Sequence, residues 1–219
     1  MKTRIIDPND DRAFNEAAAA LRNGRLVAFP TETVYGLGAN ALNPQASKNI
    51  YAAKGRPSDN PLIVHISNIS QLDELVTEIP DKAKRLMEVF WPGPLTMIFK
   101  KSAIVPDVIT GGLDTVGIRM PANPVALRLI TEAGVPVAAP SANPSGKPSP
   151  TRAEHVAKDL DGRVEYIIDG GPCNVGVEST VLDVTSEIPV ILRPGGTTWE
   201  ALEKVIGKVA VDSVLEVKG

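Results

Sequence analysis

The chain has 219 residues, of which 43% are hydrophobic, 22% charged and 4% aromatic, and its formal net charge is −3. This composition is typical of a soluble globular protein, and the acidic balance excludes a broad attraction to nucleic acid or anionic membrane while leaving a local cationic groove open. The lone Cys173 excludes an internal disulfide, and the polar N-terminus has no signal-peptide core. With no run approaching the ~20 apolar residues of a membrane span, a cytoplasmic protein is predicted.

Helical and strand-like segments alternate along the chain, as expected for an α/β domain. The pattern predicts helices at 13–21, 46–54, 70–76, 81–90, 125–133, 152–160 and 199–206. It predicts strands at 25–29, 61–66, 95–100, 116–120, 135–139, 166–169, 180–184 and 190–192. Gly24 and Gly134 are placed to end helices, and Thr151 is expected to cap the helix that follows it. The tail 208–219 is expected to be an edge strand or the start of a connection.

Residues 36–41 match the dinucleotide fingerprint G-x-G-x-x-A, with Asp59 about twenty residues further on. The fingerprint requires a helix after the glycines and an acidic residue at the end of a second strand. Here Asn40 and Pro44 make a poor helix start, and Asp59 lies in a loop rich in proline. We therefore predict a tight turn at Gly36–Gly38 rather than a nucleotide fold of that type.

Other common catalytic signatures are absent from the sequence. There is no Walker phosphate loop and no nucleophile-elbow motif G-x-S-x-G. His65, His155 and Cys173 lack the spacing of zinc ligands, so no protein-held metal is predicted.

The segment Lys54–Pro61 places two cations, a hydroxyl and an amide within a few residues of loop. Lysine offers a point charge and arginine a bidentate fork, which suits a polyanion, although a solvated turn explains the composition equally well. Similar polar segments follow apolar strands at 31–36, 141–146, 177–180 and 192–196, and Arg119 lies within an apolar stretch. Because polar residues recur at strand ends, we expect them to share one cleft.

Taken together, these segments resemble the YrdC-domain family from about residue 5 to residue 207. The resemblance is carried by the ordered motifs Pro30–Leu37, Lys54–Pro57, Pro61–His65, Trp91–Thr96, Arg119–Pro121, Ala139–Asn143, Ser179–Val181 and Arg193–Gly195. It implies a catalytic domain over 1–207, with a tail or the start of a linker at 208–219. The implied fold is a twisted, open, mixed α/β sheet with flanking helices and a large concave cavity.

The family's activity is that of a nucleotidyltransferase. It condenses L-threonine, bicarbonate or CO2, and ATP into L-threonylcarbamoyl-adenylate and releases pyrophosphate. A partner transferase complex then uses this product for t6A modification at position 37 of tRNAs. Mg²⁺ is expected to accompany ATP, and weak tRNA binding is left open.

The resemblance also assigns residues. Catalytic contacts are expected from Lys54, Arg56, Ser141 and Asn143. ATP contacts are expected from Lys54, Arg56, Ser58, Thr115, Ser141, Asn143, Ser149 and Arg193. L-threonine is expected near Thr31, His65, Arg119, Ala139 and Ser179, with Arg119 pairing with its carboxylate.

Three alternatives remain at this point. A double-stranded RNA or tRNA-binding module would use the same concave cationic surface, but the acidic net charge argues against strong binding. A carbamoyl-adenylate-forming domain of hydrogenase maturation would occur in a longer chain with cysteine motifs. A lyase of the dihydroxybutanone-phosphate synthase type would need acidic metal-binding loops.

Overall fold

A computed structural model describes residues 1–57 and 60–216. Its strands are β1 (Arg4–Ile6), β2 (Val27–Pro30), β3 (Tyr35–Asn40), β4 (Ile63–His65), β5 (Leu95–Lys100), β6 (Thr115–Arg119), β7 (Val137–Ala138), β8 (Tyr166–Ile168), β9 (Thr180–Asp183), β10 (Val190–Arg193) and β11 (Ala210–Val211). Its helices are α1 (Asp11–Arg22), α2 (Pro44–Lys54), α3 (Ile69–Leu75), α4 (Asp81–Phe90), α5 (Asp107–Thr110), α6 (Pro124–Ala133), α7 (Ala153–Leu160), α8 (Trp199–Ile206) and α9 (Ser213–Glu216).

The described strands join into one eleven-stranded sheet in the order β1-β8-β2-β3-β7-β4-β6-β5-β9-β10-β11. The sheet is mixed: five pairs are parallel (β1 with β8, β2 with β8, β4 with β6, β5 with β9, β10 with β11), and the other five pairs described are antiparallel. The sheet is open, since β1 and β11 lie at its two edges. The predicted open mixed α/β sheet with flanking helices is therefore confirmed.

Apolar clusters pack against this sheet. In α1 the buried positions Ala13, Phe14, Ala17, Ala18 and Leu21 follow the three-to-four residue spacing of one helix face. That face packs with α6 and with Phe29 and Val137 in one cluster. A larger cluster contains residues of α2, α4, α7 and α8 together with the central strands. The two clusters hold the strand ends in fixed positions.

The tight turn predicted at Gly36–Gly38 is wrong, because these residues lie inside β3 and pair with β2 in antiparallel register. A Cβ atom at Gly38 would lie 2.8 Å from Phe29 Cε1 and 3.0 Å from Val137 Cγ1. Gly38 is therefore needed for close packing across the sheet. Because glycine disfavours a strand, the same residue makes β3 hard to recognise from the sequence.

Other differences are local. Thr151 does not cap α7, because Arg152 takes the cap position in extended backbone and makes no side-chain cap bond. β1, α5 and α9 were not predicted as elements, and each has only three or four residues. β11 lies at the sheet edge within 208–219, where an edge strand was one of the two expectations. β11 pairs with β10, so the sheet extends past residue 207. Within 1–57 and 60–216, every helix is too short or too polar to cross a membrane.

Candidate active site

A cavity of about 270 Å³ opens where several strands and loops meet. Its walls come from the loop after β2, the start of β3, the loop before β4, the ends of β4 and β6, the segment after β7, the residues before β9 and the end of β10. It is lined by Thr31, Thr33, Val34, Gly36, Arg56, Pro61, Ile63, His65, Arg119, Ala139, Pro140, Ser141, Glu178, Ser179 and Arg193.

Strand register places two of these side chains next to each other. β4 and β6 run parallel, and His65 is the register partner of Arg119. Because side chains alternate between the faces of a sheet, Ile63, His65 and Arg119 project to the same face. The short apolar strands β4 and β6 therefore place His65 and Arg119 side by side at the floor of the cavity.

Arg119 is buried and held by three separate acceptors. Its Nη2 forms an ion pair with Glu32, its Nη1 donates to Thr33 Oγ1 at 3.2 Å, and its Nε donates to the Gly93 carbonyl at 3.2 Å. Burial lowers the pKa of Arg119, and the Glu32 carboxylate offsets part of that effect. These contacts use three of the five guanidinium N–H groups, which leaves one on each terminal nitrogen for the cavity.

His65 is buried, and burial together with the nearby charge of Arg119 lowers its pKa to about 3. The imidazole is therefore neutral at physiological pH. Its Nδ1 lies 3.2 Å from the Ile63 carbonyl, and the Phe29 ring contacts it edge-on at 6.3 Å between centroids.

The loop after β2 is fixed by its own threonines. Thr31 Oγ1 lies 2.8 Å from Thr33 Oγ1, donates to the Val34 carbonyl at 2.6 Å and accepts the backbone N–H groups of Thr33 and Val34. These local bonds form a tight turn that presents both threonines to the cavity. Glu32, between them, also accepts the Ala122 N–H at 2.8 Å, so its carboxylate is held from two sides.

Ser179 and Arg193 line the cavity and contact each other directly. Arg193 Nε and Nη2 donate to the Ser179 carbonyl at 3.1 and 2.8 Å, and Nη2 also contacts Ser179 Oγ at 3.1 Å. Ser179 Oγ lies 2.8 Å from Thr96 Oγ1. A Cβ atom at Gly195 would lie 2.4 Å from the Glu178 carbonyl oxygen, so only glycine allows this close approach of the two chain segments.

Lys54 is the last residue of α2, where the helix dipole favours a cation. The residue is only 4% exposed, and its Nζ donates to the Ser141 carbonyl. Ser145 N–H in turn donates to the Lys54 carbonyl at 2.9 Å, so α2 and the loop after β7 are joined. Burial and the charge of Arg56 lower the pKa of Lys54 to about 8, and Glu178 offsets part of this shift.

Asn143 and Arg56 are two further residues assigned to ATP. The Asn143 amide nitrogen donates to the Pro144 carbonyl at 2.9 Å and to the Lys147 carbonyl at 2.7 Å. This leaves Asn143 Oδ1 as a buried oxygen with no hydrogen bond from the described residues. Arg56 is half-buried, contacts the Pro61 carbonyl at 3.5 Å and lies over the Tyr51 ring at 5.9 Å.

Glu178 is the second carboxylate of the cavity. One of its oxygens accepts Ser149 Oγ at 2.8 Å, and the other pairs with Arg193 Nη1 at 2.6 Å. Among the described residues, the cavity and its rim carry the cations Lys54, Arg56, Arg119 and Arg193 and the carboxylates of Glu32 and Glu178. Positive charge therefore predominates locally in a chain whose net charge is −3.

The residues assigned from the sequence come together as follows. All five residues assigned to threonine line the cavity, and so do Arg56, Ser141 and Arg193 of the ATP set. Lys54 and Ser149 bond directly to lining residues, and Asn143 lies two residues after Ser141. Thr115 starts β6 on the face that bears Arg119, about 13 Å away along an extended strand. Ser58 lies outside the described residues.

Sequence reasoning did not assign Glu32, Thr33 or Glu178, which all line or contact the cavity. Each lies within a polar segment that was noted, but its partner is far away in sequence. The Glu32–Arg119 pair, for example, spans 87 positions.

Glu32 and Glu178 are two carboxylates at the cavity that could serve as metal ligands. Within residues 1–57 and 60–216, no group of three histidine, cysteine or acidic side chains is arranged to hold a metal ion. Glu32 and Glu178 are each engaged by an arginine. These residues therefore do not fit a metal held by the protein alone.

The chain is similar to proteins of one known family. The Sua5/YciO/YrdC family model, described as telomere recombination, matches residues 19–195. A threonylcarbamoyl-AMP synthase of Bacillus subtilis (strain 168) is 61% identical over 224 residues, which cover 98% of this chain and 64% of the relative. A protein of the same name from Pyrococcus abyssi is 61% identical over 195 residues, which cover 89% of this chain and 57% of the relative.

Among solved structures, the crystal structure of P. abyssi Sua5 complexed with L-threonine superposes with a TM-score of 0.95 at 55% identity. The match covers 99% of this chain and 64% of that chain. The chain thus spans less than two thirds of the length of these relatives.

Proposed function

This chain belongs to the Sua5/YciO/YrdC family, and we propose that its cavity is the active site of an L-threonylcarbamoyl-adenylate synthase. The substrates are L-threonine, bicarbonate or CO2, and ATP, and the second product is pyrophosphate. One observation carries the proposal: a single cavity is lined by all five residues assigned to threonine and, beside them, by Arg56, Ser141 and Arg193 from the set assigned to ATP. The names of the relatives and the threonine complex of the P. abyssi protein support the same conclusion.

The chemistry needs positioning more than a protein nucleophile. The neutral amine of threonine adds to CO2 and loses a proton to give a carbamate. A carbamate oxygen then attacks the α-phosphorus of ATP, and the bond to the β-phosphate breaks with departure of pyrophosphate. Holding these groups in line and neutralising the phosphate charge accounts for catalysis of this kind.

At the threonine end, the two uncommitted N–H groups of Arg119 are arranged to bind the amino-acid carboxylate. The guanidinium is held in place by Glu32, Thr33 and the Gly93 carbonyl, so little freedom is lost on binding. Ser179 and Thr31 supply hydroxyl groups, and Ala139 supplies an apolar contact.

His65 is a neutral neighbour of Arg119, since burial and the arginine charge lower its pKa to about 3. A threonine amine reacts with CO2 only after losing its proton. Nearby Arg119 and the desolvated floor both disfavour a cationic amine. We infer that this environment helps to deliver the amine in its reactive form.

At the other end, Lys54, Arg56 and Arg193 neutralise the phosphates, with polar contacts from Ser58, Thr115, Ser141, Asn143 and Ser149. Mg²⁺ enters with ATP as a counterion of the phosphates, because the two carboxylates at the cavity are already paired with arginines. We further propose that the product passes to a transferase complex that forms t6A in tRNA.

The proposal is tested by incubating the protein with ATP, Mg²⁺, bicarbonate and one amino acid while pyrophosphate is measured. Release should depend on both threonine and bicarbonate, and mass spectrometry should detect threonylcarbamoyl-adenylate. Serine, which lacks one methyl group, should support slower release by about tenfold, the usual value of a methylene in a pocket. Equal release with serine and threonine would overturn the substrate assignment, and no release with any amino acid would overturn the function.

A further inference from the structure

Glu178 contacts two of the groups assigned to ATP. Its carboxylate accepts Ser149 Oγ at 2.8 Å through one oxygen and pairs with Arg193 Nη1 at 2.6 Å through the other. The same carboxylate acts on Lys54, since its charge raises the pKa of that amine against the effect of burial. Three groups expected to hold phosphate are therefore oriented towards, or influenced by, a single protein anion.

The N–H donors of Arg193 show why Glu178 and a nucleotide phosphate would compete for the same place. Arg193 has five N–H groups, and its Nε and Nη2 are directed to the carbonyl and hydroxyl oxygens of Ser179. Nη1 is the nitrogen left to face a second anion, and Glu178 pairs with it through one carboxylate oxygen, which leaves one N–H of Nη1 beside that charge. A nucleotide phosphate at this place would meet the Glu178 carboxylate, and two like charges in hydrogen-bond reach of one guanidinium repel each other.

We propose that Glu178 is an internal competitor of the nucleotide phosphates, which exchanges places with them on Arg193 and Ser149. The inference rests on the proposed function, because it takes the cavity to bind ATP. Glu178 leaves these partners when ATP binds and returns to them as pyrophosphate departs. Competition from Glu178 lowers the affinity of the cavity for pyrophosphate. Pyrophosphate therefore dissociates faster than it would if only the cationic side chains faced it.

Exposure makes such an exchange feasible. The side chains of Arg193 and Glu178 are 38% and 39% exposed, so the carboxylate can turn to solvent without burying an unpaired charge. The backbone of Glu178 stays fixed, since its carbonyl accepts the Gly196 N–H at 3.0 Å. Only the side chain has to move.

The test is the substitution Glu178→Gln, with binding of ATP and of inorganic pyrophosphate measured by calorimetry. Glutamine keeps the shape and an oxygen that can accept from Ser149, but it removes the competing charge. We expect both ligands to bind about fivefold more tightly, which is the scale of a half-exposed ion pair.

A matched control is Glu16→Gln. Glu16 pairs with Arg4 near the β1 edge of the sheet, so this variant changes the net charge equally but leaves the cavity intact. Its affinities for ATP and pyrophosphate should equal those of the unmodified protein. A loss of local structure at Glu178 would weaken binding, so tighter binding separates competition from a structural role.

The outcomes distinguish the inference from the function. If the unmodified protein binds ATP and Glu178→Gln binds it equally or more weakly, the inference is overturned and the proposed function stands. If neither protein binds ATP, both are overturned. Faster pyrophosphate release from Glu178→Gln in single-turnover experiments would also contradict the inference.

Discussion

Within the described residues, the cavity holds two arginine–glutamate pairs, and we name their surroundings the threonine end and the phosphate end after the substrates proposed to bind there. At the threonine end Arg119 pairs with Glu32, and the two side chains are 4% and 13% exposed. At the phosphate end Arg193 pairs with Glu178, and these side chains are 38% and 39% exposed. Glu32 is also fixed by the Ala122 N–H, whereas Glu178 receives only side-chain donors, from Ser149 and Arg193, in the described structure.

Burial decides what each ion pair can do. A buried pair cannot separate, because either partner would be left as an unpaired charge at low dielectric, at a cost of several kcal/mol. A half-exposed pair is worth about 0.2–1 kcal/mol and can exchange with water or another anion. The Arg119–Glu32 pair is therefore a permanent part of the threonine end, and the Arg193–Glu178 pair is replaceable.

The largest effect is expected from Arg119→Ala. It leaves the Glu32 carboxylate buried without its cation, which should lower the free energy of unfolding by about 3–5 kcal/mol. It should also abolish threonine-dependent pyrophosphate release. Urea unfolding and the pyrophosphate assay measure the two effects.

Adding Glu32→Gln to Arg119→Ala separates stability from activity. Without the buried charge, most of the lost stability should return, while pyrophosphate release stays absent. Normal turnover in either variant would show that Arg119 does not bind the substrate carboxylate. An unchanged free energy of unfolding for Arg119→Ala alone would show that the Arg119–Glu32 pair can be broken without cost.

An intermediate effect is expected from Lys54→Met, which keeps the length of the side chain and removes its charge. Since a hydrogen bond to a charged group contributes about 1.5–3 kcal/mol, ATP affinity should fall roughly ten- to a hundredfold. Calorimetry measures this change. Unaltered ATP affinity would remove Lys54 from the phosphate site.

The lowered pKa of Lys54 also predicts that ATP affinity depends on pH. Because that pKa is lowered to about 8, raising the pH through this value converts the cation to a neutral amine, and ATP affinity should fall by up to about tenfold per pH unit. An ordinary lysine would titrate above pH 10. Lys54→Met should show no such fall between pH 7 and pH 9, and a fall of equal size in that variant would contradict the assignment.

The smallest effect on stability is expected from Arg193→Ala. The free energy of unfolding should change by less than about 1 kcal/mol, because Glu178 can turn to solvent. ATP affinity should nevertheless decrease, since a phosphate donor is lost. A loss of stability as large as that of Arg119→Ala would remove the distinction between the two ends.

The sequence was sufficient for most elements and for the expectation that polar residues at strand ends share one cleft; that five of them bind threonine stays a prediction. Helices such as α1, α4 and α6 have apolar spacing and end signals that are local, and they lie within two residues of their predicted bounds. His65 and Arg119 were predicted to belong to one site because they lie in motifs of the family. Strand register then places them side by side.

What could not be predicted depends on distant contacts. β3 contains two glycines, which disfavour a strand locally, and only the packing of Gly38 against Phe29 and Val137 explains their use. β1 is three residues long, too short for a period to be recognised. Glu32 and Glu178 lie in recognised segments, but no local pattern shows that an arginine elsewhere in the chain pairs with each of them.

Arg193 touches both ends of the cavity, with one edge of its guanidinium on Ser179 and the other on Glu178. If the two substrates bind as proposed, a side chain shared in this way makes their sites thermodynamically dependent on each other. In a double-mutant cycle, the free-energy effects of changing Ser179 and Glu178 will not add, because both act through the same planar group. Variants designed to change the amino-acid preference of this cavity will therefore also change its nucleotide affinity.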